Sequence, residues 1–229
     1  MPSATQPATQ VETCVLEDTL TCRGEPVLTY RLTYPQVRSA VFAPAAARIS
    51  AYYRLEALRL QIEACGALYR EAVRQYHEAR EQGYPVMVYE VRADFTVTLQ
   101  QSCTLSLYTD IYRYTGGAHG MTTRVSQTWD LRTGEKIPLC HLISGFRDMQ
   151  AYFTGEVVRQ LRVQLEAGEG SYFDSYAADA VQEFDPAQYY LTPEGVVIYY
   201  QLYAVAPYSS GIPVFLVPYS RQVRPPRCR

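Results

Sequence analysis

The sequence has little of several features that would assign a function directly. Lys136 is its only lysine, histidine occurs three times, and the net charge is −2. A chain this close to neutral does not attract nucleic acid or an anionic membrane through its overall charge. No stretch approaches the roughly 18 apolar residues that a membrane span needs. The polar segment Met1–Val11 has neither the basic start nor the apolar core of a secretory signal.

Familiar catalytic and metal-binding motifs are missing as well. There is no H-E-x-x-H, no G-x-S-x-G and no C-x-x-C pair, and no two histidines stand at the spacing of metal ligands. We therefore expect no metal, no cofactor and no catalytic residue in this chain.

The cysteines are even in number but scattered. Cys14 and Cys22 lie in neighbouring extended segments and are the predicted disulfide if the compartment is oxidising. Cys65 falls on the apolar stripe of a predicted helix, which is typical of a buried thiol.

The first part of the chain predicts two strands and one long helix. The strands are Glu12–Thr21 and Pro26–Tyr34, with a turn at Gly24 and a break where Tyr34 precedes Pro35. The helix runs from Pro44 to about Gln82 and carries one apolar stripe with alternating spacings of four and three. Its members are Ala51, Leu55, Leu58, Ile62, Cys65, Tyr69, Ala72 and Tyr76. Such a stripe packs either on the protein's own sheet or on a coiled-coil partner helix.

Alternation of apolar and polar residues then predicts a series of strands. Residues Met87–Leu99 form a long strand with one buried face, and a second strand buries Leu105, Leu107 and Ile111. A third strand, Thr123–Leu131, buries Val125 and Trp129, and pairs with the second as a hairpin.

The last part of the chain predicts helices followed by strands. The helices are Phe146–Glu166 and Tyr172–Gln182, and the strands are Tyr189–Leu191, Val196–Leu202 and Val214–Val217. Because strands and helices do not alternate strictly, the fold class is α+β. We expect a mainly antiparallel sheet packed against one long helix and a second helical segment. The predicted organisation is a disordered segment 1–11, a smaller domain 12–100, a C-terminal domain 101–220 and a tail 221–229.

Two loops are candidates for chemistry or binding. In Tyr114–Gly120 the glycines include Gly116 and Gly117, and His119 stands among them as a possible base or as a satisfied turn residue. A hydrolase would combine His119 with Asp110 or Asp130. The second loop follows Leu202, where prolines punctuate a stretch that exposes Tyr203 and Tyr208 as a contact surface or as a cap on the sheet edge.

Three sequence runs resemble a bacterial family. Tyr114–Gly120 (YTGGAHG), Trp129–Leu139 (WDLRTGEKIPL) and Tyr190–Val196 (YLTPEGV) are similar to the C-terminal part of the ectodomain of RsiV-type anti-sigma factors, which recurs in the peptidoglycan deacetylase PdaC. The segment from about Leu28 through the long helix resembles the smaller domain that precedes it in both.

The resemblance implies an α+β receptor-like module that lies outside the cytoplasm. In RsiV this module binds lysozyme and so exposes the anti-sigma factor to proteolysis. The expected partners are therefore lysozyme or peptidoglycan, and the candidate ligand-binding residues are Tyr114, Gly116, Gly117, His119, Tyr203 and Tyr208. The chain shows no sigma-binding segment, membrane span or deacetylase motif, and a cytoplasmic protein of unrelated role remains an alternative.

Overall fold

The computed structural model describes residues 9–145 and 148–227, and the chain divides into two compact units. The first unit takes the residues up to Phe95 with Asp110–Thr122 and Leu131–Gly134. The second takes Thr96–Thr109, Thr123–Asp130 and the residues from Glu135 onward.

The predicted α+β class is confirmed. One sheet has the strand order β1 to β6, and the other has the order β7-β8-β9. The strands are β1 Thr9–Cys22, β2 Glu25–Ser39, β3 Tyr89–Gln101, β4 Thr104–Tyr114, β5 Met121–Asp130, β6 Glu135–Lys136, β7 Tyr189–Leu191, β8 Gly195–Tyr199 and β9 Val214–Pro218. The helices are α1 Ala43–Glu63, α2 Tyr69–Gln82, α3 Met149–Glu166 and α4 Tyr176–Gln182.

The first two strands form a long antiparallel hairpin, and β2 then pairs with β3 in parallel. A parallel pair needs a crossover connection, which the long helix between β2 and β3 supplies. The predicted break at Pro35 is wrong, because Pro35 lies inside β2 opposite Thr13. Leu32 is the last residue of β2 that pairs with β3, so on that side the missing N–H of Pro35 costs no ladder hydrogen bond.

Residues 1–8 lie outside the described residues. β1 begins at Thr9, so the last three residues of the predicted disordered segment form part of a strand.

The long helix is interrupted by a π-helical turn at Ala64–Leu68. It ends where Gly83 adopts a left-handed conformation with φ of 71°, a conformation that glycine takes at little cost. Packing of the predicted stripe on the protein's own sheet is confirmed for the second half, where Ala72 and Tyr76 are buried.

In the first half of the helix the predicted packing of this stripe on the protein's own sheet is wrong. Leu55 is 57% exposed and Ile62 is 72% exposed, and Cys65 is an exposed thiol rather than a buried one. The buried face of α1 consists instead of Ala45, Ala46, Ile49, Tyr53 and Ala57. A π turn holds one more residue than an α turn, and one residue corresponds to about 100° of rotation. The apolar stripe that is continuous in the sequence is therefore turned away from the sheet in α1 and towards it in α2.

The core of the second unit lies between α3 and the β7-β8-β9 sheet. Phe153, Val157 and Leu161 on α3 are fully buried, as the sequence predicts. Leu165, also predicted on that face, is 38% exposed because it lies in the last turn of the helix. Near the chain's end Val223 is buried in the same core and forms a bridge with Ile143.

The predicted burial of Val125 is also wrong. Val125 is 38% exposed, whereas Trp129 on the same face of β5 is buried as predicted, so this face is covered only towards the end of the strand. On the opposite face the Ser126 hydroxyl donates to the Ala187 carbonyl at 3.3 Å and lies 3.2 Å from the Tyr199 hydroxyl.

The predicted Cys14–Cys22 disulfide is not formed, and both residues are free thiols. They lie in the same strand, where eight residues span about 26 Å, far beyond the reach of a disulfide. The Cys14 thiol instead donates to Gln36 Oε1 at 3.3 Å. Cys103 is disulfide-bonded.

Peptide mapping of the unreduced protein checks this assignment. We expect Cys103 in a disulfide-linked peptide, because its side chain is 3% exposed and already bonded. The thiols of Cys14, Cys22, Cys65 and Cys140 should all be alkylated once the protein is unfolded. A linked peptide joining Cys14 to Cys22 would contradict the register of β1.

Within the described residues, no helix combines the length and the apolar character that crossing a membrane requires.

Candidate binding surface

The glycine-rich loop that follows β4 satisfies several of its own polar groups. Gly116 and Gly117 have φ of 96° and 88°, in the left-handed region that favours glycine. The Tyr114 hydroxyl donates to the Gly117 carbonyl at 3.1 Å. His119 Nδ1 lies 3.1 Å from the Gly120 carbonyl, and because a carbonyl only accepts, that nitrogen carries a proton. These contacts fit a wide turn whose polar groups are engaged locally.

Gly120 is required by close packing. A methyl group on its Cα would lie 2.5 Å from both the Arg113 carbonyl oxygen and the Tyr112 ring. The same Tyr112 ring is also contacted by Arg92, whose guanidinium carbon lies 5.2 Å from the ring centre. Part of the glycine pattern is therefore explained by packing in the first unit.

The proposed hydrolase residues lie on different elements. His119 is exposed at the end of the loop, Asp110 lies within β4, and Asp130 ends β5. His119 and Asp110 belong to the first unit, whereas Asp130 belongs to the second. Among the residues that the structure describes, no group of three His, Cys, Asp or Glu side chains could hold a metal ion. The catalytic set therefore stays a prediction.

Tyr203 and Tyr208 come together in the loop between β8 and β9. Their ring centroids are 5.8 Å apart with an interplanar angle of 34°, and Tyr203 is 47% exposed. Tyr203 has φ of 65°, which is uncommon for a residue with a bulky side chain and carries a cost of about 1–2 kcal/mol. A strained, exposed aromatic residue is a reason to look for function at that position.

The loop is anchored two residues before Tyr203. The Gln201 side chain accepts from the Arg124 backbone N–H at 3.0 Å and donates to the Arg124 carbonyl at 2.7 Å. The Ala204 N–H donates to the Gln201 carbonyl at 3.1 Å, which closes a turn around Tyr203. These bonds attach the start of the loop, just before Tyr203, to β5.

A shallow cavity of about 460 Å³ adjoins Tyr203. Asp179 and Glu183 line it from α4 and from the residue that ends α4, one helical turn apart, and Phe173 lines it from the preceding loop. The Ser175 hydroxyl donates to Asp179 Oδ2 at 2.6 Å, which fixes one carboxylate at the rim. Tyr203 therefore borders an acidic cavity and Tyr208 lies beside Tyr203, and we name Tyr203, Tyr208, Asp179 and Glu183 together the acidic tyrosine surface.

The two tyrosines lie in a stretch of sequence that has no cationic residue, a pattern that the sequence motifs do not reveal. Between Arg162 and Arg221 the sequence contains no lysine, arginine or histidine. The same stretch carries seven carboxylates: Glu166, Glu169, Asp174, Asp179, Glu183, Asp185 and Glu194. The overall charge of −2 hides this run, and a local count of charges would have found it.

Two family models match successive parts of the chain. Residues 22–122 match the family described as Deacetylase PdaC, and residues 143–220 match the family described as Protein of unknown function (DUF3298). The chain thus carries PdaC-type and DUF3298-type domains. No curated protein matches the sequence.

Solved structures show the same fold. A DUF3298 family protein from Bacteroides fragilis superposes with a TM-score of 0.62 at 19% identity, over 93% of this chain and 92% of that one. A DUF3298 family protein from Pseudomonas aeruginosa superposes with a TM-score of 0.59 at 17% identity, over 95% of this chain and 98% of that one. The TM-scores establish the shared fold. The sequence identities are too low to transfer a function, so the function has to be argued from the residues of this chain.

Proposed function

We propose that this chain is a non-catalytic binding module whose acidic tyrosine surface takes a cationic protein, with an animal-type lysozyme as the partner that the RsiV resemblance implies. The observation that carries the proposal is the exposed Tyr203 with the half-buried Tyr208 beside it, inside a 58-residue stretch, from residue 163 to residue 220, that has seven carboxylates and no cation. Tyrosine offers a large contact area at small entropic cost. Carboxylates around it raise the rate of encounter with a basic partner.

Cell-wall glycan is the second candidate for the same surface. Two neighbouring tyrosine rings also suit stacking against sugar rings, which this pair offers at a tilt of 34°. Peptidoglycan carries carboxylates on its peptides, and the acidic residues beside Tyr203 would repel them. The charge of the surface therefore favours the cationic protein.

Surface plasmon resonance of the purified chain against an animal-type lysozyme tests the proposal. We expect a dissociation constant of about 1 µM or tighter for the wild-type chain. Combined Tyr203→Ala and Tyr208→Ala substitutions should weaken binding at least about tenfold, since exposed aromatic residues dominate such contacts. Tyr84→Ala is the matched control, because Tyr84 is 65% exposed but lies in the first unit.

Charge-reversal variants distinguish electrostatic steering of the encounter with lysozyme from direct contact in the complex. Glu183→Lys should lower the association rate severalfold at low salt and reduce its salt dependence, because rim charges act mainly on encounter. Glu81→Lys makes the same charge change in the first unit and should leave the rate unchanged. Lysozyme affinity that is insensitive to all of these changes would remove this surface from consideration. Binding to soluble peptidoglycan fragments without binding to lysozyme would assign it to the glycan.

A further inference from the structure

The helix α1 has a second apolar face that its own sheet does not cover. Ala51, Leu55, Leu58, Ile62 and Cys65 follow spacings of four, three, four and three, which is the a/d pattern of a helix-to-helix seam. Leu58 is half-buried, whereas Leu55 and Ile62 are among the most exposed large apolar side chains in the described residues. The outward face of a surface helix is ordinarily polar. We name these five residues the α1 seam.

A groove runs beside the α1 seam on one side. It has a volume of about 1120 Å³, and its walls are α1 and the β1–β2 hairpin. Cys14 and Leu16 on β1 line it together with Ala47, Ala51 and Leu58 on α1. From Ala47 to Leu58 the helix rises about 17 Å, or three turns. The alanines leave room for another backbone to approach at the 8–10 Å that packed helices adopt.

Among the described residues, the groove carries one positive charge that no carboxylate neutralises. Arg54 lines it and forms no ion pair within the described part of the chain. The arginines around it are engaged, since Arg38 pairs with Glu12 at 2.8 Å and Arg59 with Glu56 at 2.5 Å. Arg113 holds Glu63 through two bonds of 2.8 and 2.9 Å. An occupant of the groove would therefore meet apolar side chains, neutral polar side chains such as Gln10 and Gln36, and the guanidinium of Arg54.

We propose that the α1 seam and its groove bind an acidic amphipathic helix of a partner protein. The apolar face of that helix packs between the residues of the seam, and one of its carboxylates pairs with Arg54. The spacing of the seam specifies a helix, because an extended peptide repeats every two residues and would not match it. This interaction lies in the first unit and is independent of the acidic tyrosine surface.

Two synthetic peptides test the proposal directly. Both carry isoleucine and leucine at the a and d positions of three heptads, one with glutamate and the other with lysine at every e and g position. Like charges keep each peptide from pairing with itself. By fluorescence anisotropy we expect the glutamate peptide to bind the full chain with a dissociation constant on the order of 10 µM, and the lysine peptide at least about fivefold more weakly.

Substitutions in the α1 seam locate the binding. Leu55→Glu combined with Ile62→Glu should weaken the glutamate peptide at least about tenfold, because it removes apolar contact and adds like charge, and Arg54→Glu should reverse the preference between the two peptides. Both seam residues are already exposed, so the variants should fold, which circular dichroism checks. Val163→Glu is the matched control, because Val163 is 53% exposed on α3 in the second unit.

Several outcomes of these experiments would overturn the proposal. Failure of both peptides to bind, equal binding of the two, or binding that survives the seam substitutions would each overturn the proposal. Sedimentation velocity of the chain alone adds one more outcome. A dimer that the same seam substitutions dissociate would show that the occupant is a second copy of this chain and not an acidic partner helix.

Discussion

Replacing Gly195 with alanine is expected to lower the free energy of unfolding of the second unit by about 3 kcal/mol. Gly195 begins β8, and its backbone lies against the neighbouring strand, where Gly195 pairs with Pro218. A methyl group there would overlap the Val217 carbonyl oxygen and approach the Pro218 Cα to 2.9 Å. Because both contacts are with backbone, β9 has to move, and the buried side chains of Val196 and Val217 move with it.

Thermal unfolding followed by circular dichroism measures the effect. A loss of about 3 kcal/mol corresponds to a melting temperature lower by roughly 6–12 °C in a chain of this size. Gly155→Ala is the control of opposite sign, since Gly155 is exposed within α3 and a methyl group there would meet nothing within 4 Å. Alanine in that helix should stabilise by up to about 1 kcal/mol. Equal melting temperatures for the two variants would contradict the close approach of β8 and β9.

The second large effect is a loss of stability at alkaline pH. Burial raises the pKa of Tyr189 to about 12 and that of Tyr219 to about 12, and it raises the pKa of Tyr200 as well. All three lie in the second unit. The Tyr200 hydroxyl donates to the Ala180 carbonyl at 2.7 Å, and the Tyr189 hydroxyl donates to the Ile137 carbonyl. A phenolate can make neither bond.

The direction of the effect follows from proton binding. In the unfolded chain a tyrosine titrates near pH 10, so above that pH the unfolded state holds fewer protons than the folded state. Stability is therefore intact below pH 10 and falls as the pH rises towards 12. Tyr189 alone, with 4% of its surface exposed, should account for about 3 kcal/mol of the loss over that interval.

Urea unfolding at a series of pH values from neutral to strongly alkaline measures the loss. Tyr189→Phe should make the dependence shallower above pH 10 while lowering stability at neutral pH by about 1–2 kcal/mol, because the Ile137 carbonyl loses its donor. Tyr203→Phe changes an exposed ring of the same unit and should leave the dependence as it is. A midpoint that stays constant to pH 12 would show that these tyrosines are not desolvated.

Strands were predictable where one face alone is buried. Tyr89, Val91, Ala93 and Leu99 alternate with polar residues in β3, and all four are buried as the alternation indicates. Val125 shows the limit of that argument, because it shares its face of β5 with the buried Trp129, and alternation identifies a face without saying how far along the strand that face is covered. The same limit explains the long helix. Its period identifies an apolar stripe. The π turn, after which the stripe faces the sheet and before which it does not, has no periodic signal in the sequence.

The candidate surface was predictable only in part. Tyr203 and Tyr208 follow from a proline-rich loop between strands, since such loops expose their side chains. Their association with Asp179 and Glu183 depends on the packing of α4, which lies more than twenty residues earlier in the chain. The left-handed backbone of Tyr203 was not predictable either, because neither glycine nor asparagine marks the position.

The two segments matched by the family models do not coincide with the two compact units, and this has a consequence for the evolution of the chain. The DUF3298 match begins at residue 143, but the core that it helps to form includes Leu99, which belongs to the stretch matched by the PdaC model. A gene fragment that encodes residues 143–220 alone would thus inherit an incomplete core. The unit of inheritance for this fold is the pair of segments together, so recombination that moves one segment without the other should leave proteins that do not fold.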